Sequence, residues 1–136
     1  MNAGKPVLAV EDDDVDAEIL RRVFWELRVP NPLARALHGE DALEWLRRDT
    51  NGPPALILLD LSLPVMNGIE LLQVLKGDAR LRRIPVVVLT TSKLEADKLA
   101  SFDLSVAGYL VKPVDYGEFI DVIRTLDTYW TVSQTP

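Results

Sequence analysis

The feature that most narrows the fold is an alternation repeated five times along the chain. Apolar runs of strand length, Val7–Val10, Leu33–Leu37, Ala55–Leu59, Pro85–Leu89 and Gly108–Val111, are separated by stretches whose apolar residues recur at helical spacing. The run from Val86 to Leu89 is β-branched and continuously apolar, as befits a parallel strand covered on both faces. Strands alternating with helices call for βαβ units with right-handed crossovers, and so for a three-layer α/β sandwich with the third strand central. At 136 residues the chain is long enough for one domain, 1–136, with a substantial core, and too short for two.

The helical stretches have readable ends. Asp13 or Asp14 can cap a first helix reaching about Leu27, with Ile19, Leu20, Val23, Phe24 and Leu27 on one face, and the turn Val29-Pro30-Asn31-Pro32 stops it. A second helix is predicted from Gly39 to about Asp49, with Ala42, Leu43, Trp45 and Leu46 mostly inward. A third follows the cap residue Asn67, over Gly68–Lys76, and a fourth spans Leu94–Phe102. The last runs from Asp115 to about Trp130, its inward stripe being Phe119, Val122, Ile123, Leu126 and Trp130. Residues 131–136 read as a short tail.

Composition excludes several classes of function. A formal charge of −6 argues against a generally basic nucleic-acid-binding face. There is no Cys, hence no disulfide framework, thiol chemistry or Cys-based zinc site. No apolar run approaches the roughly 20 residues of a membrane helix, and Met1 to Lys5 lead straight into a strand without a signal peptide. A cytoplasmic location is expected.

The chemistry gathers where the apolar runs end. The first strand is followed by Glu11, Asp12, Asp13 and Asp14, and the third by Asp60. The fourth ends in Thr90-Thr91-Ser92, and the fifth in Lys112-Pro113. In an open parallel sheet the carboxyl ends of the strands line the ligand crevice, so Glu11, Asp12 and Asp60 are expected to converge. Three clustered carboxylates repel one another unless a cation joins them. Acids, a hydroxyl and one ammonium at a single sheet edge suit the receipt of a phosphoryl group on a carboxylate, with Thr90 and Lys112 binding the transferred oxygens.

Four segments, Val10-Glu11-Asp12-Asp13, Leu58 to Gly68, Val88-Leu89-Thr90-Thr91-Ser92 and Gly108 to Pro113, stand in the order and at the spacing of a known family. Over essentially its whole length the chain resembles the receiver domain of two-component response regulators. The resemblance implies a doubly wound, flavodoxin-like (βα)5 fold with parallel strand order 2-1-3-4-5. It implies Asp60 as phosphoacceptor, forming a 4-aspartylphosphate, and a Mg²⁺ site of Glu11, Asp12, Asp60 and the Ser62 backbone carbonyl, with Asp12 the more direct ligand of the acidic pair. Thr90 becomes the switch hydroxyl, Lys112 the phosphate-binding cation, Tyr109 the aromatic that changes rotamer, and the Lys112–Pro113 peptide is expected to be cis. Glu11 departs from the Asp of many members, and Ser105 stands where Gly is frequent after the fourth helix. Within the family, the turn Val29 to Pro32, the stretch His38 to Leu43, Leu81 to Pro85 and the ending Asp127-Thr128-Tyr129-Trp130 are similar to receivers partnered with bacterial phytochrome kinases.

The implied function is a stand-alone phosphorylation switch, not an enzyme acting on outside substrates, although it would catalyse its own phosphorylation and dephosphorylation. Its partners would be a sensor histidine kinase and a downstream protein, contacted through the Leu94–Phe102 helix, the Gly108–Val111 strand and the final helix. A degenerate receiver used only for binding is the alternative, but such chains lose the acceptor, the acidic pair or the Lys, all kept here. A metal-dependent phosphatase would need a second Asp two residues past the nucleophile, where Ser62 stands. His38 reads as a surface turn residue, and Trp25 and Trp45 as core or helix-packing residues. Tyr116 and Tyr129 lie off the predicted inward stripe of the last helix and, with Trp130, are candidates for a homodimer seam.

Overall fold

A computed structural model describes residues 4–48, 50, 52–60, 68–90, 106–111 and 116–133, with the backbone alone for Thr90, Tyr109, Val111 and 126–133. Five strands, β1 (Val7–Val10), β2 (Leu33–Ala36), β3 (Leu56–Asp60), β4 (Val86–Thr90) and β5 (Gly108–Val111), form one parallel sheet in the order β2-β1-β3-β4-β5. The helices among the described residues are α1 (Asp14–Glu26), α2 (Gly39–Arg47), α3 (Gly68–Gly77) and α4 (Tyr116–Ser133). The helix predicted over Leu94–Phe102, the Asn67 cap and Ser105 lie outside the described residues.

Alternation along each strand separates two cores. Leu8, Val10, Ile57, Leu59, Val86 and Val88 pack with Ala42, Leu43 and Leu46 of α2 and Leu71, Leu72 and Leu75 of α3. Their neighbours Val7, Ala9, Leu56, Leu58, Val87 and Leu89 pack with Leu20, Val23 and Phe24 of α1 and Phe119 and Ile123 of α4. Period-two alternation with both faces apolar is what a doubly covered sheet requires. Burying each such side chain contributes about 1.5–3 kcal/mol, so β3, buried along its whole length, anchors the domain.

Asp13 caps α1, its side chain accepting from the backbone N–H of Val15 at 2.8 Å and of Asp16 at 3.0 Å. At the other end Val29 N–H donates to the Phe24 carbonyl and Arg28 N–H to that of Trp25, the bond pattern of a Schellman stop. That stop puts Arg28 at φ +54°, where a side chain is strained and glycine is not. Arg28→Gly is therefore expected to stabilise the fold by about 0.5 kcal/mol, net of glycine's greater freedom when unfolded. An unchanged or lower urea midpoint would count against this account of the stop.

Three expectations are corrected. Trp25 is 81% exposed, because Leu20, Val23 and Phe24 occupy the inward face of α1 and the next residue turns outward. Trp45, by contrast, packs against the core as expected. Tyr116 is not an exposed patch residue: it packs on the α1 side of the sheet, since positions 116, 119, 120 and 123 share one helical face. The tail expected from Thr131 is helical through Ser133, there being no Gly or Pro between Trp130 and Ser133 to end α4 sooner.

Candidate functional site

Register places the acids. Val10 is level with Leu59 in the β1–β3 pairing, so the next residue on each strand, Glu11 and Asp60, ends up side by side. Both share the strand parity of the α1-facing core, Val7 and Ala9 in one strand and Leu56 and Leu58 in the other. The strand order reverses between β1 and β3, where chain crossings diverge and leave a crevice at the carboxyl edge. One carboxylate oxygen from each of Glu11, Asp12 and Asp60 lies within 4.8 Å of the others. Glu11 is 2% exposed and Asp60 8%, whereas Asp12 is open to solvent. The donor set is three hard oxygens and nothing softer, which suits Mg²⁺ or Mn²⁺ and not a thiolate- or imidazole-seeking ion.

The rest of the predicted set divides. Thr90 closes β4 one residue beyond Leu89, the register mate of Asp60, so it reaches the same edge of the sheet. Tyr109 lies in β5 level with Val88. Ser62, Thr91, Ser92, Lys112 and Pro113 lie outside the described residues, and with them the expected Lys112–Pro113 cis peptide.

Arg35 belongs to the site although sequence reasoning passed over it. It lies on β2 opposite Ala9, its Nε donates to the Glu11 carbonyl at 3.0 Å, and its Nη1 meets Asp14 Oδ1 at 2.9 Å. With Glu11 N–H bonded to the Ala36 carbonyl at 2.9 Å, the acidic turn is tied to β2 from both sides of one residue. The signal was there: a lone Arg in the run Leu33-Ala34-Arg35-Ala36 beside an acidic loop. A planar guanidinium makes this two-point clamp and an ammonium does not. Arg35→Lys should keep the fold and weaken divalent-ion binding several-fold, with Arg35→Ala weaker still; equal affinities in calorimetric titration would show that the clamp does not set the acids.

His38 also has a defined role. It caps α2, its Nδ1 accepting from Asp41 N–H at 3.1 Å, while Asp41 Oδ2 accepts from Leu37 N–H at 2.8 Å. The exchange resembles a capping box and holds the loop that follows β2. On the other flank, the Tyr116 ring stands 5.7 Å from the Arg22 guanidinium carbon. Burial pushes its phenol above the ordinary tyrosine value, the Glu26 carboxylate pushes the same way, and Arg22 opposes both. Among the described residues the buried Tyr116 hydroxyl has no hydrogen-bond partner.

Comparison with known proteins agrees with this geometry. Residues 7–124 match the response regulator receiver domain. The chain belongs to the response regulator receiver domain family. Response regulator Rcp1 of Synechocystis sp. is 36% identical over 138 residues, covering 98% of this chain and 94% of that protein. The probable methanogenesis regulatory protein FilR2 of Methanothrix harundinacea is 35% identical, covering 91% of this chain and 82% of its own. The crystal structure of the phosphorylated cyanobacterial phytochrome response regulator RcpA superposes with a TM-score of 0.86 at 33% identity, over 97% of each chain. Rcp1 has also been crystallised in a Mn²⁺-bound form, with a TM-score of 0.82 and 35% identity over 93% of this receiver and 94% of that chain. Among the described residues of this receiver, no helix is long and apolar enough to cross a membrane.

Proposed function

We propose that this receiver is a phosphorylation switch whose acceptor is Asp60, served by Mg²⁺ held by Glu11, Asp12, Asp60 and the Ser62 carbonyl. The observation that carries the reading is the convergence of three carboxylates at the sheet's reversal point, with Asp60 enclosed and Asp12 open to solvent. The phosphorylated state of RcpA and the Mn²⁺ of Rcp1 support it by likeness. When bound, the cation supplies charge neutralisation for the acids and the incoming phosphoryl oxygens.

The steps assigned to the chain itself are few. An Asp60 carboxylate oxygen attacks phosphorus as the bond to the donor breaks. A kinase imidazole, or acetate from acetyl phosphate, leaves with that electron pair, and an acyl phosphate remains on Asp60. Hydrolysis of that bond by water releases inorganic phosphate and returns the carboxylate, which makes the protein a participant in its own turnover and not an enzyme for other substrates. Thr90 and Lys112 bind the phosphoryl oxygens, and Tyr109 follows Thr90. The new charge of about −1.5 to −2 thereby reaches the face around β5 and α4, where a downstream protein would read it.

The donor we infer is a cytoplasmic sensor histidine kinase of the bacterial phytochrome type, on the strength of the RcpA likeness. Phosphotransfer from purified, autophosphorylated kinases, a bacteriophytochrome among them, tests both levels: transfer from none of them, and none from acetyl phosphate, would end the switch reading. Transfer from other kinases only would remove the phytochrome assignment. A homodimer seam through the predicted Leu94–Phe102 helix, β5 and α4 now rests on Tyr129 and Trp130, since Tyr116 packs, partly buried, against the core on the α1 side.

Lys112→Ala should leave phosphate uptake detectable but uncouple it from the surface change, because the ammonium is the cation matched to the new charge. Partner binding of the phosphorylated variant at wild-type strength would rule out this role.

A further inference from the structure

The opposite end of the sheet carries a second feature that phosphorylation does not use. A cleft of about 590 Å³ opens there, lined by residues just ahead of β1, β3 and β4 and by the end of α2. Its lining includes Pro53, Pro54 and Pro85, whose locked φ angles restrict how these segments can move. Leu46, Leu81 and Ile84 form an apolar floor. Lys5, Arg48, Arg80 and Arg83, all exposed, also line the cleft.

Four cations around one cleft are unexpected in a chain of charge −6. Glu44 and Asp78 offset part of this charge. Glu44 Oε1 accepts from Arg48 at 2.8 Å, an exposed pair one helical turn apart that a ligand could displace at small cost. The Asp78 carboxylate lies near Arg80, but its Oδ1 is engaged with the backbone N–H groups of Arg80 and Leu81 at 2.8 and 3.1 Å. Those bonds hold the carboxyl below the usual aspartate range and pin the turn that presents Arg80. Lys5, Arg80 and Arg83 form no ion pair among the described residues.

The cations come from three segments, before β1, after α2 and before β4, and line one volume, which suits a compact, multiply charged ligand. Guanidinium groups pair bidentately with phosphate and stack on flat rings. The volume falls within the range of small-molecule sites, and the apolar floor asks for a body as well as charges. We propose that this cleft binds a small organic polyphosphate with a planar or apolar body, of nucleoside-triphosphate chemistry, independently of the acidic crevice.

The test uses the full chain, ATP and inorganic tripolyphosphate as separate probes, and EDTA throughout, so that no divalent ion bridges phosphate to Glu11, Asp12 and Asp60. Calorimetric titration should show saturable one-to-one binding of ATP, weakened by salt, with tripolyphosphate several-fold weaker. The Arg80→Glu/Arg83→Glu variant should lose at least about tenfold in ATP affinity, and Asp60→Asn should lose none. If charge reversal unfolds the protein, Arg80→Gln/Arg83→Gln serves instead with the same expected direction. ATP that does not saturate the wild type, equal affinity in a folded double variant, or tripolyphosphate binding as tightly as ATP would each overturn the proposal.

Discussion

Asp60→Asn should fold like the wild type and acquire phosphate from acetyl phosphate at a rate on the order of a hundredfold or more below it. The substitution keeps the side chain's shape and removes the nucleophilic oxygen. The site tolerates the change because Asp60 ends β3 with its backbone fixed between Val10-side and Leu89-side neighbours, while Leu56 to Leu59 hold the strand from both faces. The prediction discriminates because this edge is crowded with carboxylates. Asp13 is committed to capping α1, and Asp14 to Arg35. Asp12 is solvent-exposed and better placed to hold a cation than to be shielded as an acyl phosphate. Acid- and base-labile phosphate should therefore disappear with Asp60 and not with Asp13 or Asp14. Labile phosphate accumulating on Asp60→Asn at the wild-type rate would falsify the assignment, and matching far-ultraviolet spectra and melting curves would show that loss of the label is not loss of the fold.

How much of this was legible in the sequence depends on what each residue answers to. Strands and inward helix faces answer to burial, and burial leaves a period: the runs at Val7–Val10 and Gly108–Val111 appear as strands with the predicted bounds. Strand ends elsewhere moved by a residue, as at β3, where Asp60 is itself the last strand residue and pairs with Leu89. A charged residue can continue a ladder, because the ladder is backbone; apolar pattern alone stops one residue too soon. The convergence of Glu11, Asp12 and Asp60 followed from topology, since strands flanking the reversal point must bring their carboxyl ends together. What escaped were residues whose role is set by a specific side-chain bond, across strands or at a helix end. Arg35 looks like a strand residue until its guanidinium meets the Glu11 carbonyl, and His38 looks like a turn until Asp41 N–H reaches its Nδ1. Arg28 in a glycine conformation leaves no trace in hydrophobic periodicity either. Trp25 shows the converse error, in which residue type suggested burial while helical phase denied it.

The second large effect is a reversal of sign in stability with divalent ions. Three carboxylate oxygens within 4.8 Å repel one another, and the low exposure of Glu11 and Asp60 limits the screening available from water. In EDTA, Asp60→Asn should therefore be more stable than the wild type by about 1 kcal/mol, since one of the mutually repelling charges is gone. With Mg²⁺ the order should invert. An ion that binds only the folded state adds about 2.7 kcal/mol when present at a hundred times its dissociation constant, and Asp60→Asn forfeits most of that. Asp12→Ala should show the same loss of ion-dependent stabilisation, with at least about a tenfold drop in affinity, equivalent to 1.4 kcal/mol. Its gain in EDTA should be smaller than that of Asp60→Asn, because solvent already screens Asp12. Urea melts of the three proteins, each with EDTA and with saturating MgCl₂, measure all of these terms. Parallel shifts in the wild type and both variants would mean that Mg²⁺ acts elsewhere. No shift in the wild type would mean that no divalent ion joins the acids, and that contacts within the fold, Arg35 and the register of β1 on β3 among them, offset their repulsion.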